Sequence, residues 1–167
     1  VLEEVKDNKF IDDIIVVIDN ESDNSIPVAK NFDCKIIIQK EKGYGSAIVE
    51  GFKHAKNVFG CIYNADYSFD PKYFGELVRL SKSNDFIFGS RYKGSGGSDD
   101  DDAITFIGNK IFTFISRYIL RIKLSDILFT YVLGKTSSAK NLNLKYNDFR
   151  ICVELPIKAK LNGLKYQ

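Results

Sequence analysis

The chain has 167 residues, enough for one domain with a real core and too few for two large ones. Lys plus Arg number 24 and Asp plus Glu 22, and the resulting net charge of +2 argues against a polyanion-coating protein, so nucleic acid is not an expected partner. With 44% hydrophobic and 28% charged residues, the composition is that of a globular protein rather than a disordered chain.

Residues 1–8 read as the tail of a helix. Ile14-Ile15-Val16-Val17-Ile18 is a short β-branched run that ends in the polar loop Asp19-Asn20-Glu21-Ser22-Asp23-Asn24-Ser25. Such a run fits a strand buried on both faces, as in a parallel sheet. Residues 34–38, 60–64 and 86–88 are further runs of the same type. Helical patterns lie between them. Residues 46–57 place Ala47, Ile48, Gly51, Phe52 and Ala55 on one face. Asp70-Pro71 opens the next helix, an N-cap carboxylate followed by Pro at the first helical position. Phe74, Leu77 and Val78 supply the buried face of that helix. Residues 93–102 (KGSGGSDDDD) read as a mobile loop of Gly, Ser and mutually repelling carboxylates. A long helix is expected over 103–122. The β-α-β-α order predicts an α/β domain with a doubly wound, mostly parallel sheet. Ligands of such sheets bind beyond the carboxyl ends of the strands. That directs attention to the loops at 19–25, 39–45, 64–70 and 89–102.

Helix 103–122 carries Ile104, Ile107, Ile111, Ile115, Tyr118 and Ile119 on one apolar face, widened by Phe106, Phe112 and Phe114. Lys110, Arg117 and Arg121 flank it. The face fits a membrane surface or burial against the sheet, and the frequency of amphipathic helices in α/β domains favours burial. No stretch of 18 residues lacks charge, and no signal peptide is visible. The three cysteines, Cys34, Cys61 and Cys152, form no CxxC, which argues for a reducing compartment over a disulfide scaffold or zinc site. His54, the single histidine, argues against a Ser-His-Asp triad. The chain starts at Val1 and contains no Met, so residues 1–167 read as a single partial domain.

Asn64-Ala65-Asp66 ends the third strand run. An oxygen ligand there suits Mg²⁺ or Mn²⁺ bridging to nucleotide phosphates, and Asp66 also reads as a plain turn residue. Asp19 is either an acceptor for a base or ribose or a solvated loop residue. Lys42-Gly43-Tyr44-Gly45 opens a helix whose N-terminus favours phosphate, but it is neither a dinucleotide fingerprint nor a P-loop. Arg91 reads as a site residue beside the loop or as a surface ion-pair partner. Asp99 to Asp102 read as a solvated run.

The ordered set DNESD, EKGYGSAIVEGFKHA, YNADYSFDP and FGSRYKGSGG, followed by a long helix, Ser125-Asp126 and Val153-Glu154-Leu155, resembles family 2 glycosyltransferases of the GT-A fold. The similarity is to the branch that includes dolichyl-phosphate mannose synthase. The resemblance implies a nucleotide-diphospho-sugar transferase fold whose N-terminal strand is missing here. It implies that Asp19 contacts the base and that Lys42, Gly43 and Gly45 lie beside the nucleotide. Asn64 and Asp66 match the DxD motif, with Asp66 as ligand of the metal. Arg91 matches an arginine facing acceptor phosphate, and Asp126 and Glu154 match active-site carboxylates.

The sequence departs from the pattern in three places. Asn64 replaces the first Asp, Ser68 stands where that branch often has Gln, and no arginine lies between Arg91 and Arg117. The acceptor is therefore left open between a hydroxyl and a polyprenyl phosphate, that is, a saccharide or a lipid-linked group. A hydroxyl needs a base, for which Asp126 is the first candidate and Glu154 the second. A phosphate needs none, and Asp126 would then position groups. The expected activity is metal-assisted, inverting sugar transfer from a nucleoside-diphosphate sugar. The expected location is the cytoplasm, at the inner membrane face if helix 103–122 lies on lipid. A nucleotidyltransferase and a non-catalytic sugar-nucleotide-binding module are the alternatives.

Overall fold

In a computed structural model, residues 1–92 and 103–167 are described, with 103–106 as backbone only. The loop expected at 93–102 and the Asp99 to Asp102 run within it lie outside the described residues. The order is α1 (Leu2–Val5), β1 (Ile15–Ile18), α2 (Ser25–Ala29), β2 (Lys35–Ile38), α3 (Tyr44–His54) and β3 (Phe59–Ile62). A 3-10 turn (Pro71–Tyr73) leads into α4 (Phe74–Ser81) and β4 (Phe86–Phe88). Then come α5 (Ala103–Tyr118), β5 (Val132–Lys135), α6 (Thr136–Asn141) and α7 (Ile151–Leu161). Asp70 caps the turn before α4 as its sequence demands: its carboxylate accepts the Lys72 N–H at 2.9 Å and Pro71 follows it.

The strands form two sheets. β1 and β2 pair in parallel, from Ile15 opposite Lys35 to Ile18 opposite Ile38. In the second sheet β5 lies between β3 and β4 and runs antiparallel to both. β3 and β4 therefore point the same way without pairing, and both strand pairs of this sheet are antiparallel rather than parallel. β5 is the element that the run-based reading omits. The apolar run Ile127 to Leu133 signals it, but only the last two of those residues enter the strand. Residues 165–167 run alongside β4 with a parallel bridge from Tyr166 to Phe86.

Alternation along the strands builds a core on each face of the three-stranded sheet. Phe86 and Val132 point to one side, among Ile48 and Phe52 of α3, Ala139 of α6 and Ile151, Leu155 and Ala159 of α7. Ile87 and Leu133 point to the other, among Val5, Phe69, Phe74 and Leu77. Phe86 pairs with Gly134, where a Cβ would collide with the phenyl ring, so the glycine is what admits the ring. A third cluster, Ile122, Leu124 and Ile127, packs beside Val153 and Ile157 of α7.

Helix α5 corrects the burial expected of it. Ile107, Ile111, Phe112, Phe114, Ile115, Tyr118 and Ile119 are all exposed, whereas Asn109 and Ser116 are buried. The side chains of Ile104 and Phe106 lie outside the described residues. Both faces of the three-stranded sheet are already covered by other helices, so the sheet offers no face to α5's apolar stripe. Asn109 and Ser116 face inward instead, with Asn109 donating to the Tyr92 phenol at 3.0 Å. Among the described residues no helix is long and apolar enough to cross a membrane.

Candidate active site

Because β5 is antiparallel to its neighbours, its amino end meets the carboxyl ends of β3 and β4: Val132 pairs with both Ile62 and Phe88. The lead-in segment 126–131 therefore runs past the loops where ligand chemistry is expected, and it ties them together. Tyr131 Oη donates to the Asp70 carbonyl at 3.1 Å. Thr130 Oγ1 lies 2.5 Å from Tyr44 Oη. Gly89 N–H donates to the Tyr131 carbonyl at 2.8 Å, and Ser125 Oγ donates to Ser90 Oγ at the same distance.

One half of the site is open. Asp19 follows β1, and its carboxylate accepts from Gln39 Nε2 at 2.7 Å. Lys42 Nζ lies 3.9 Å from the other Asp19 oxygen, and with 85% exposure the lysine is a loosely held cation. Asp66 is exposed beyond β3. Its Oδ1 accepts from Ser68 N at 3.0 Å and Ser68 Oγ at 2.5 Å, and its Oδ2 carries no hydrogen bond from the described residues. Asn64 Oδ1 accepts from Tyr44 Oη at 2.9 Å.

The other half is closed. Asp126 is 1% exposed and both its oxygens are bonded to Arg91: Nε to Oδ2 at 2.8 Å and Nη2 to Oδ1 at 3.0 Å. The Arg91 backbone N–H adds a contact to Oδ2 at 3.3 Å. The guanidinium also lies over the rings of Tyr92 and Phe129, each 5.2 Å away. Glu154 accepts from the backbone N–H groups of Lys145 (2.8 Å) and Tyr146 (3.0 Å) and pairs with Lys158 at 2.8 Å. Burial pushes this carboxyl up, but Lys158 and the two backbone donors together outweigh it and hold Glu154 below the ordinary carboxylate range. These donors fill both oxygens of Glu154, and Asp126 is buried behind its Arg91 pair.

The amino end of α3 has a different partner from the expected phosphate. The N–H groups of Gly45 and Ser46 both donate to the Asn147 carbonyl, at 2.8 and 3.2 Å. A Cβ at Gly43 would collide with that same carbonyl, and one at Gly45 with the Tyr146 carbonyl. Gly43 also has φ 119°, which disfavours any L side chain. The glycines here admit the 146–148 backbone. Glu154 shapes that segment, because it holds the two N–H groups at its start.

The family comparison decides what this constellation belongs to. The model for glycosyl transferase family 2 matches residues 1–142. The chain belongs to that family. Family 2 membership carries the GT-A α/β fold and makes the chain a glycosyltransferase domain. The chain is 26% identical over 157 residues to a dolichol-phosphate mannosyltransferase of Pyrococcus furiosus, covering 89% of this chain and 44% of that protein. It is 32% identical over 97 residues to a dolichol-phosphate mannosyltransferase of Mycosarcoma maydis, covering 54% of this chain and 33% of that one. The chain spans less than half the length of these relatives.

A divalent metal is the cofactor that the sequence resemblance implies. Among the described residues no three carboxylate, histidine or cysteine side chains converge on one point, so no protein-only cage is built. Mg²⁺ and Mn²⁺ are ordinarily held by one or two carboxylates together with substrate phosphates and water. Asp66, exposed and with one oxygen clear of hydrogen bonds among the described residues, fits that mode.

Sequence reasoning placed Asp19, Lys42, Asn64, Asp66 and Arg91 in the loops that the structure brings to this edge. It missed Gln39, Tyr44, Phe129 and Thr130. Tyr44 lay inside a motif it read only for glycines, and Phe129 and Thr130 lay inside the strand signal it passed over.

Proposed function

We propose that this glycosyltransferase domain transfers a sugar from a nucleoside-diphosphate sugar to a polyprenyl phosphate, with inversion at the sugar carbon. The observation that carries the acceptor choice is the Arg91–Asp126 pair. Asp126 and Glu154, the two carboxylates expected to act as the base for a hydroxyl acceptor, are both engaged by other donors. A phosphate acceptor is already an anion and needs no base. Its oxygen attacks the anomeric carbon, the bond from that carbon to the diphosphate oxygen breaks, and a nucleoside diphosphate leaves. The names of the two relatives agree with this acceptor. Asp126 then acts as a positioning residue that fixes Arg91. Asp19 and Lys42 border the nucleotide, and Asp66 holds Mg²⁺ or Mn²⁺. When bound, that metal would offset the charge developing on the leaving diphosphate.

The exposed apolar face of α5 supports a peripheral membrane contact through 103–122, at the cytoplasmic leaflet. Arg117 and Arg121, exposed beside that face, would meet anionic headgroups in such a contact. The test incubates the protein with GDP- and UDP-sugars, a polyprenyl phosphate and vesicles, with and without Mn²⁺. Formation of a sugar-linked polyprenyl phosphate with release of nucleoside diphosphate is expected. Release of pyrophosphate would instead mark nucleotidyl transfer, and nucleotide binding without turnover would mark a non-catalytic module.

A further inference from the structure

Lys42-Gly43-Tyr44-Gly45 reads in sequence as a helix opening in which Tyr44 has no assigned part, but the structure gives Tyr44 a defined set of partners. Its ring stacks on Phe149, with centroids 4.7 Å apart and planes within 16°. Its hydroxyl donates to Asn64 Oδ1 at 2.9 Å and lies 2.5 Å from Thr130 Oγ1. A phenol has one proton. With that proton on the Asn64 bond, Thr130 is the donor to the Tyr44 oxygen, and the chain of bonds runs Thr130 to Tyr44 to Asn64. Burial raises the Tyr44 pKa, so the phenol remains a donor at neutral pH.

The bond sets the orientation of the Asn64 amide. The oxygen, the atom able to ligate a cation, is turned to the phenol. The nitrogen points away from it with two protons and has no hydrogen-bond partner among the described residues. Asn64 differs from a carboxylate in two ways: it carries no charge, and it can donate.

We propose that Asn64, held by Tyr44, is a hydrogen-bond donor to the diphosphate of the sugar donor, and that Asp66 alone carries the metal-binding part of the Asn64-Ala65-Asp66 motif. This rests on the glycosyltransferase reading above and deepens its donor site. An Asp at position 64 would place a second negative charge beside an anionic ligand, and an amide N–H attracts that ligand instead. Nucleoside-diphosphate binding in this chain therefore retains a metal-independent part that passes through Asn64.

The experiment uses the full chain with GDP and UDP as probes. Calorimetric titration is run with and without Mn²⁺, and nucleotide-bound Mn²⁺ is followed by electron paramagnetic resonance. Without metal, Asn64→Ala and Tyr44→Phe are each expected to weaken binding roughly tenfold, a loss typical of a hydrogen bond to a charged group. The double variant should lose little beyond the larger single loss, because the two residues act through one contact. Asn64→Asp keeps an acceptor for Tyr44, so it preserves the local fold. It should weaken metal-free binding and tighten the nucleotide-bound Mn²⁺. Asn64→Ala should leave the Mn²⁺ signal in place and Asp66→Ala should abolish it. Loss of the Mn²⁺ signal in Asn64→Ala would show Asn64 to be a ligand and overturn the proposal. So would metal-free binding unchanged in both Asn64→Ala and Asn64→Asp. Failure of the unaltered chain to bind either nucleotide would overturn the donor-site reading itself, an outcome distinct from unchanged binding in the variants.

Discussion

Asp66 and Asp126 are carboxylates at the same edge of the sheet, and they live in opposite surroundings. Asp66 is exposed, and among the described residues one of its oxygens is clear of hydrogen bonds. Asp126 is buried, and a bidentate guanidinium occupies both its oxygens. The first can exchange partners with a ligand at little cost. The second holds a cation whose desolvation has already been compensated, and moving it undoes that compensation. A carboxylate's chemistry at this edge is thus set by what already holds its oxygens, not by its place in a motif.

Removing the closed carboxylate should do the most damage. Asp126→Ala removes one partner of a buried ion pair, a change that typically costs about 3–5 kcal/mol. Urea unfolding measures it, and a loss below about 1 kcal/mol would mean that the pair is not the scaffold described. Glu154→Gln comes next, with a cost of about 1–3 kcal/mol from strained or lost bonds to Lys145, Tyr146 and Lys158. It should also change the acid limb of stability. Glu154 has a folded pKa below its unfolded value, so its contribution is full above the unfolded value and lost as pH falls through the folded one. The variant should therefore lose less stability between neutral and acidic pH than the parent chain, as seen in unfolding midpoints across that range.

The open half should respond in the reverse manner. Asp66→Ala is expected to change stability by no more than about 0.5 kcal/mol while the Mn²⁺-linked gain in nucleotide binding disappears. If it instead unfolds the domain, the contrast with Asp126 collapses. Lys42→Ala should be the mildest, under about 0.5 kcal/mol, because a highly exposed pair at 3.9 Å is well screened. A thermal shift resolves whether even that remains.

Much of the scaffold was written locally. The β-branched runs located β1 to β4, the three- and four-residue spacing located α3, and Asp70-Pro71 located the start before α4. Those signals arise from neighbours in sequence, which is why they can be read there. The partners of the site residues are not local. Arg91 and Asp126 are 35 residues apart, and no feature of either segment names the other. Glu154 looked like an acid for catalysis because nothing in Val153-Glu154-Leu155 shows the two backbone N–H groups that meet it. Helix α5 displays a second limit. Periodicity reveals that an apolar face exists, but which surface remains to cover it depends on how the other helices have divided the sheet.

The Asn147 carbonyl on α3 has a consequence for how the domain comes into being. Asn147 also bonds through its side chain to Glu41, 106 residues away. Contacts of such long range form late, because a large loop must close before they are rewarded. During synthesis the first turn of α3 exists for most of the time without the segment that finishes it. The glycines at 43 and 45 reserve space for a backbone that has not yet been made, so replacing either should delay maturation more than it disturbs the early strands. The amino end of α3 is thus among the last parts of the domain to be assembled.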